Sequence, residues 1–321
     1  MSRTSLLSAL TIGCLAVLPF GTALGLDPYY LTLASRLAIL ALFALSLDLL
    51  VGLAGMVSLG HAAFFGLGGY GLAILAIDGS APPAELAIPL ALVGCAAAAT
   101  VIGWFSTRTR EVGFLMITLA FAQMLYFLFN ESTALGSSDG LFLSGYDSLF
   151  GLSLWDETHF HWIVTACLGG ALLVLLRIKE SRFGRLLAAG AANPVRVRAL
   201  GIDLKALHLV AFILAGALAG LAGILDGLQN SFVSPGSLHW KLSGLALVIV
   251  LLGRRGTLIG PVLAAFGFGL LQDQLQDTTT HWHLWLGLGV MGMVLVPAWT
   301  TRLGRAPVSR LRPFGGARKS S

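Results

Sequence analysis

Charge is scarce in this chain of 321 residues, and the scarcity excludes a water-soluble fold. Only 11% of the residues are charged, whereas a soluble globular domain carries about 25%. Hydrophobic residues make up 56% of the chain, and they come in blocks that approach the roughly 20 helical residues needed to cross a bilayer. The sequence therefore predicts an integral membrane protein.

Cysteine and catalytic motifs are scarce as well. The three cysteines, Cys14, Cys95 and Cys167, all lie inside apolar blocks, and their spacing fits neither a disulfide framework nor a metal knuckle. The predicted spans contain no His-Glu-x-x-His motif, no paired carboxylates and no nucleophile beside a base. We therefore predict no enzymatic activity, no catalytic residues and no bound metal or cofactor.

Ten apolar blocks are candidates for membrane helices. The weakest is 239–253, which is too short for a full crossing and suggests a broken or partly re-entrant helix. The first, 6–26, is either a retained span or a cleaved signal peptide, and its place at the head of a polytopic chain favours a retained span. We predict an all-α polytopic bundle of about eight to ten transmembrane helices with one broken or re-entrant segment. The blocks are 6–26, 31–52, 54–77, 84–105, 112–130, 161–178, 207–228, 239–253, 257–276 and 282–300.

The distribution of charge predicts the orientation of these spans. If the N-terminus lies inside, every basic residue except Arg36 and Lys241 falls in an inner segment, whereas acidic residues collect in the outer loops. This bias follows the positive-inside rule and predicts that both termini are cytoplasmic. We expect one transmembrane domain over residues 1–305 and a basic cytoplasmic tail at 306–321. The basic surplus indicates cytoplasmic loops beside membrane lipid and not a nucleic-acid partner.

Three carboxylates lie within the predicted spans. Asp48 is placed near the inner interface, and Asp226 and Asp273 are placed near outer ends. At these depths their side chains can reach the headgroup region. The sequence therefore gives little support to a buried proton relay, which a proton-driven carrier would need.

Glycine is in excess, with 40 residues against a usual frequency near 7%. In the block 207–228 the glycines recur at four-residue spacing, which favours close packing of helices. In the segment 52–71, which also holds Ser58 and His61, the alternative to packing is a loosened helix that lines a polar path. The glycines of this segment are Gly52, Gly55, Gly60, Gly66, Gly68, Gly69 and Gly71.

A basic inner loop at 179–206 carries local helix signals. Asn193 can cap a helix, Pro194 suits its first position and Gly201 can end it in a left-handed turn, so 194–200 is predicted as a two-turn surface helix. A helix this short is marginal in water by itself. It needs support from the membrane domain, from a partner subunit or from anionic lipid.

A resemblance to a known family follows from several motifs. Residues 51–66, VGLAGMVSLGHAAFFG, resemble the signature of ABC permeases for branched-chain amino acids. With further similar segments the resemblance covers roughly residues 35–300, and the chain is similar to the larger of the two permease subunits in such systems. These segments are 118–123 (TLAFAQ), 138–141 (SDGL), 193–203 (NPVRVRALGID), 232–235 (FVSP) and 256–261 (GTLIGP).

The resemblance implies an importer in the bacterial inner membrane. In such systems a periplasmic solute-binding protein delivers the substrate, two related permeases form the pathway as a heterodimer, and two cytoplasmic ATPases supply the energy. This chain contains no Gly-Lys dipeptide and hence no Walker A loop, so ATP hydrolysis is expected in the partner subunits. The implied substrates are branched-chain or related amino acids, with urea, short amides or aromatic acids as the alternative.

Two sets of candidate residues result. The pathway candidates are Ser58, His61, Thr118 and Gln123, and the alternative for each is a hydrogen bond between packed helices. By resemblance, the loop at 179–206 couples the permease to its ATPase, with candidates Arg182, Arg185, Asn193, Pro194, Arg196, Arg198 and Gly201. A self-sufficient ion-coupled carrier or channel is the second hypothesis, and uptake by the purified chain alone would distinguish it.

Overall fold

The computed structural model describes residues 27–77, 81–109, 111–279, 281, 284–289 and 291–292. This part of the chain consists mainly of α-helices, joined by short turns and by one longer segment, 132–156. The chain divides into two units, residues 1–273 and 274–321. The predicted first span, most of the tenth block and the basic tail after 305 lie outside the described residues.

Helices account for most of the described chain. They are α1 (Pro28–Asp48), α2 (His61–Leu75), α3 (Ala84–Ser106), α4 (Val112–Glu131), α5 (Glu157–Glu180), α6 (Arg182–Ala192), α7 (Pro194–Ala199), α8 (Leu204–Asn230), α9 (Trp240–Leu252) and α10 (Ile259–Thr278). A π-helix (Leu49–Ala54) continues α1, and 3₁₀ turns occupy Thr133–Leu135, Ser137–Asp139 and Pro235–Leu238. Strand β1 (Leu141–Phe142) pairs antiparallel with β4 (Phe232–Val233), and β2 (Ser148–Leu149) pairs antiparallel with β3 (Leu152–Ser153).

Five helices of the described chain are long and apolar enough to cross a bilayer: α1 with its π-helical end, α3, α4, α5 and α8. Helices α2 and α9 are apolar but shorter, with 15 and 13 residues, and 13 residues rise only about 20 Å. The block at 239–253 is therefore a continuous helix that is too short for a full crossing. The blocks predicted from 31–52 to 257–276 each coincide with a described helix, which confirms an all-α polytopic membrane protein.

Helix α1 lies at the centre of the bundle and α4 at its rim. Within the apolar window of α1, 89% of the residues are buried, against 22% in α4. Met116, Met124 and Leu128 on α4 are exposed. An exposed apolar face of this kind is what a membrane helix presents to lipid.

Helices α2 and α8 approach each other closely through glycine. A methyl group at Gly68 would overlap the backbone of Gly220, and one at Gly223 would overlap the carbonyl of Phe65. Small residues permit this approach. Packing, the role predicted for the glycines of α8, is therefore confirmed, and it extends to Gly68 on α2.

The helical path is interrupted between Gly55 and Gly60, a segment that we call the break. The π-helix ends at Gly55, whose φ of 70° lies in the left-handed region that glycine enters without steric cost. Helix α2 then starts at His61. Irregular backbone at membrane depth is tolerated only where it is buried in protein or lines a cavity. The dense glycine segment thus contains an interrupted helix in its first half and close packing at Gly68 in its second, while a polar path along it stays a prediction.

The segment between α4 and α5 lies over the ends of α2 and α8. The β1–β4 pair ties this segment to the chain that follows α8, and the Tyr146 hydroxyl donates to the carbonyl of Leu72 at 2.9 Å. Burial raises the pKa of Tyr146, so the hydroxyl keeps the proton that it donates. Helix α7 directly precedes the start of α8, whereas this segment contacts the end of α8. Helix α7 and this segment therefore lie at opposite ends of the bundle.

Candidate translocation pathway and coupling surface

The break brings together three of the four predicted pathway residues. Ser58 and His61 lie on either side of Gly60, and a methyl group at Gly60 would overlap the carbonyl of Thr118 on α4. The side chains of Ser58, His61 and Thr118 have at most 1% of their surface exposed. They are therefore closed to solvent in this conformation.

Side chains replace helical hydrogen bonds at the break. The amide of Gly60 donates to Ser58 Oγ at 3.2 Å, and the amide of Ala62, in the first turn of α2, donates to Ser243 Oγ at 2.7 Å. First-turn amides have no partner inside their own helix, and Ser243 is fully buried on α9. No local signal marks Ser243 in the sequence, because its partner lies 181 residues away.

His61 joins α2 to α1. Its Nε2 lies 3.0 Å from Ser46 Oγ, and that hydroxyl donates to the carbonyl of Phe43 at 2.6 Å. The ring nitrogen and the hydroxyl therefore form a hydrogen bond between α2 and α1. The imidazole also stacks on Phe43, with ring centroids 5.8 Å apart. These contacts fit the helix-packing alternative for His61, while its Nδ1 has no partner among the described residues.

Gln123 lies apart from this cluster. It follows Thr118 by five residues on α4, which is a rise of about 7.5 Å and a rotation of about 140°. Its side-chain oxygen is buried and has no hydrogen-bond partner in the described part of the chain. The structure therefore groups Ser58, His61 and Thr118 and leaves Gln123 in a separate position.

Asp48 is enclosed by protein, so the prediction that its side chain reaches the headgroup region was wrong, while its position near the inner interface stays a prediction. Its side chain is fully buried. One carboxylate oxygen accepts a hydrogen bond from the amide of Gly256 at 2.6 Å, and the other accepts from the amide of Leu258 at 3.0 Å. Protein amides thus supply the donors that water would supply at an interface. No local pattern predicts this pairing, because the partners lie more than 200 residues further along the chain.

Asp48 belongs to a junction of three elements. Lys179, at the end of α5, donates through Nζ to the carbonyl of Gly256 at 2.6 Å. A methyl group at Gly52 in the π-helix would overlap both the Gly256 amide and the Asp48 carboxylate. The π-helix, the end of α5 and the turn before α10 are thereby held together. We call Asp48, Gly52, Lys179 and Gly256 the Asp48 junction.

The predicted coupling loop folds into two helices, α6 and α7, which meet at Asn193. The side chain of Asn193 accepts from the amides of Val195 at 3.2 Å and Arg196 at 3.1 Å. Pro194 takes the first helical position, and Gly201 has a φ of 77°. The capping, starting and terminating roles predicted from the sequence are confirmed, and α7 ends one residue earlier than predicted.

Helix α6 lies in a stretch for which the sequence predicts a loop. Ser181 caps it by accepting from the amide of Gly184 at 3.2 Å, and Gly184, Leu187 and Gly190 are buried on one face. Their spacing of three residues is that of a helix face. This pattern, together with the serine before it, was the signal that could have predicted α6.

Helix α6 contacts the break directly. It packs against the π-helix and against α8. A methyl group at Gly55 would lie 3.0 Å from the Cβ of Ala191 near the end of α6. A displacement of α6 would therefore act first on the π-helix and on the start of the break.

Helix α7 presents a mixed basic and apolar surface. Val195 and Leu200 have 72% and 76% of their surface exposed, whereas Val197 is buried against the bundle. The exposed arginines of α6 and α7 are Arg182, Arg185, Arg196 and Arg198. Exposed apolar side chains with arginines around them are typical of a protein–protein interface.

A polytopic bundle with an interrupted helix at its centre, and a short helix pair exposed at one end, defines the class of a membrane permease. Residues 29–298 match the family described as branched-chain amino acid transport system / permease component. The chain belongs to this family. The membership supports the predicted ABC-transporter permease and not the alternative of a self-sufficient carrier or channel.

Characterised relatives are similar over most of the chain. The chain is 28% identical over 313 residues to the high-affinity branched-chain amino acid transport system permease protein LivM of Escherichia coli K12, covering 89% of this chain and 72% of that protein. It is 25% identical to the high-affinity branched-chain amino acid transport system permease protein BraD of Pseudomonas aeruginosa, and 24% identical to the permease protein LivH of Escherichia coli K12, covering 84% of this chain and 93% of each relative. No solved structure gives a significant match to the chain.

Proposed function

We propose that this chain is a pathway-forming subunit of an ABC importer for branched-chain or related amino acids in the bacterial inner membrane. A second permease, two cytoplasmic ATPases and a periplasmic solute-binding protein complete the importer. The family description and the names of the relatives LivM, BraD and LivH support the amino-acid class. ATP hydrolysis belongs to partner subunits, because the sequence has no Walker A loop.

The observation that carries this proposal is the exposed surface of α7. A six-residue helix does not persist by itself in water. Here the Asn193 cap and the buried Val197 hold it in place, so that Val195 and Leu200 stay outside. A partner that covers these two apolar residues gains hydrophobic contact, and the arginines orient it by charge. We assign this surface to the ATPase and, with the positive-inside rule, place this end of the bundle and both termini in the cytoplasm.

The route from this surface to the pathway candidates is short. Helix α6 carries a displacement of α7 to the π-helix, and the break beyond the π-helix holds Ser58 and His61. Thr118 closes the break from α4, and Gln123 lies further along the same helix. We propose that the substrate passes beside the break, and that the closed arrangement is one state of an alternating-access cycle.

Charge reversal on α7 tests the ATPase surface. In the assembled importer, Arg196→Glu combined with Arg198→Glu is expected to lower both co-purification of the ATPase and uptake of radiolabelled leucine by about tenfold or more, because like charges at an interface cost several kcal/mol. Lys241→Glu is the matched control. Lys241 is exposed in the first turn of α9, which follows the end of α8 farthest from α7, and an acidic residue there is favourable for the helix dipole.

The result distinguishes binding of α7 to the ATPase from binding of α7 to the lipid surface. Normal ATPase capture and normal uptake in the double variant would refute the assignment. If the double variant keeps ATPase capture but loses binding to vesicles of anionic lipid, α7 contacts the membrane surface and not the ATPase.

A further inference from the structure

A cavity opens at the end of α8 that lies farthest from α7. Its volume is about 140 Å³, well above the ~10–15 Å³ that holds one water. Asp226 and Asn230 of α8, with Ser234 and Ser237 after it, form a polar wall, and Phe65 belongs to an apolar wall. Apolar lining with a few convergent polar groups is the usual form of a small-molecule site.

Asp226 supplies the charge of this cavity. The side-chain amide of Asn230 donates to the carbonyl of Asp226 at 2.9 Å, which holds the last turn of α8. Within the described residues, the Asp226 carboxylate forms no ion pair. Asp226 is partly buried, and a buried carboxylate is costly unless hydrogen bonds or a cation compensate for it. The side chain of Asn230 also acts on this carboxylate as a hydrogen-bond donor, but an amide carries no charge, so the position beside Asp226 suits a cationic group that comes from outside the chain.

Arg36 adds a positive charge near the cavity without filling it. Gln229 Nε2 on α8 donates to the carbonyl of Thr32 on α1 at 2.9 Å, and Arg36 lies one turn beyond Thr32. The guanidinium acts electrostatically on Asp226, but it is not part of the cavity lining. One charge of each sign at this end of the bundle is complementary to a zwitterion.

We propose that this cavity is the site where the permease receives its substrate, with Asp226 pairing with the α-ammonium group of an amino acid. The assignment rests on the proposed importer function. The apolar wall, which includes Phe65, Phe232 and Val233, contacts the aliphatic side chain. A substrate analogue that lacks the ammonium group would leave the buried carboxylate unpaired. The site therefore rejects such analogues.

The position of the cavity suits transfer from a binding protein. Helix α8 has 27 residues and is about 40 Å long, so the cavity and α7 lie at opposite ends of the bundle. Gly69 and Gly223 also line the cavity, and Gly223 belongs to the close contact between α2 and α8. A ligand at Asp226 therefore touches α2, the helix that begins at the break.

Removal of the charge at Asp226 tests the site in the assembled importer. Asp226→Asn keeps the shape of the side chain, and uptake of radiolabelled leucine into proteoliposomes is expected to fall by about thirtyfold, as for a buried charge pair that loses one partner. ATP hydrolysis stimulated by the binding protein is expected to stay close to wild type, because α7 is far away. Asp226→Glu, which keeps the charge, is expected to recover most of the uptake.

Glu131→Gln is the matched control. Glu131 is an exposed carboxylate at the end of α4 and outside the cavity lining, so uptake is expected to be unchanged. Wild-type uptake in the Asp226→Asn variant refutes the site and leaves the importer function standing. A wild-type importer that carries no amino acid refutes the function and the site together.

Two further outcomes overturn the assignment. Equal loss of uptake in the Asn and Glu variants, with a lower yield of folded importer, shows that Asp226 acts in folding. The other outcome concerns Na⁺. If wild-type uptake requires Na⁺ and the residual uptake of the Asp226→Asn variant does not, the carboxylate binds a metal cation and not an ammonium group.

Discussion

Replacement of Asp48 by asparagine is expected to weaken the Asp48 junction. The carboxylate accepts amide hydrogen bonds from Gly256 at 2.6 Å and from Leu258 at 3.0 Å. Asparagine keeps one acceptor oxygen, but its NH₂ group then faces the second amide. One hydrogen bond is lost, and a donor is left opposite a donor in a buried site.

The size of the effect follows from the charge on the acceptor. A hydrogen bond to a charged group contributes about 1.5–3 kcal/mol, and a buried donor without a partner costs about 1–3 kcal/mol. The two terms overlap, so the free energy of unfolding is expected to fall by about 2–4 kcal/mol. For a chain of 321 residues the corresponding decrease in Tm is roughly 3–6 °C. Thermal unfolding of the purified permease in detergent, followed by tryptophan fluorescence, measures it.

Asp203→Asn provides the control for this prediction. Asp203 caps α8 by accepting from the amide of Lys205 at 2.9 Å, but it is exposed, and asparagine caps a helix about as well as aspartate. The Tm of the Asp203→Asn variant is expected to match that of the wild type. If Asp48→Asn unfolds at the same temperature as Asp203→Asn, the two amide hydrogen bonds of Asp48 do not stabilise the junction and the reasoning fails.

Two other substitutions test the packing and the pathway. Gly223→Ala is expected to lower the free energy of unfolding by about 1–3 kcal/mol, because the new methyl group would overlap the carbonyl of Phe65. Gly170→Ala, where a methyl group would meet nothing within 4 Å, is expected to be neutral or slightly stabilising, and equal Tm values for the two variants would contradict the close α2–α8 contact. Ser58→Cys, in an assembled importer without its native cysteines, is expected to react with a membrane-impermeant maleimide only during ATP turnover, because Ser58 is fully buried at rest. The exposed Ser153→Cys should react in both conditions, and a Ser58→Cys variant that stays unreactive during turnover would remove Ser58 from the pathway.

Features fixed by neighbouring residues could be predicted from the sequence. Asn193, Pro194 and Gly201 each act within three residues of their own position, as a cap, a first-turn residue and a left-handed terminator. Helix α7 was therefore predicted almost to its last residue. Blocks of apolar residues predicted the long spans for the same reason, since the length of an apolar run is a local property.

Features that depend on distant partners could not be predicted in this way. The hydrogen bond from Gly256 to Asp48 joins residues 208 positions apart, and position within a span alone suggested a carboxylate at the interface. Ser243 supports the first turn of α2 from 181 residues away and carries no motif that marks it. Ser58, His61 and Thr118 were selected as polar residues in spans, but only the fold shows that they meet at one break while Gln123 stands apart.

The two halves of the glycine-dense segment have opposite mechanical consequences. Gly55 ends the π-helix with a positive φ, and five residues of irregular backbone follow before α2, so this half can change shape by backbone rotation. Gly68 lies in backbone contact with α8, so α2 cannot bend without separating from α8. In the proposed transport cycle, a displacement that α6 delivers at Gly55 is therefore expected to change the break and not α2. Since Ser58 and His61 lie at the break, we infer that the first groups to be exposed in the transport cycle are those two side chains, while the α2–α8 pair moves as one unit with the Asp226 cavity at its far end.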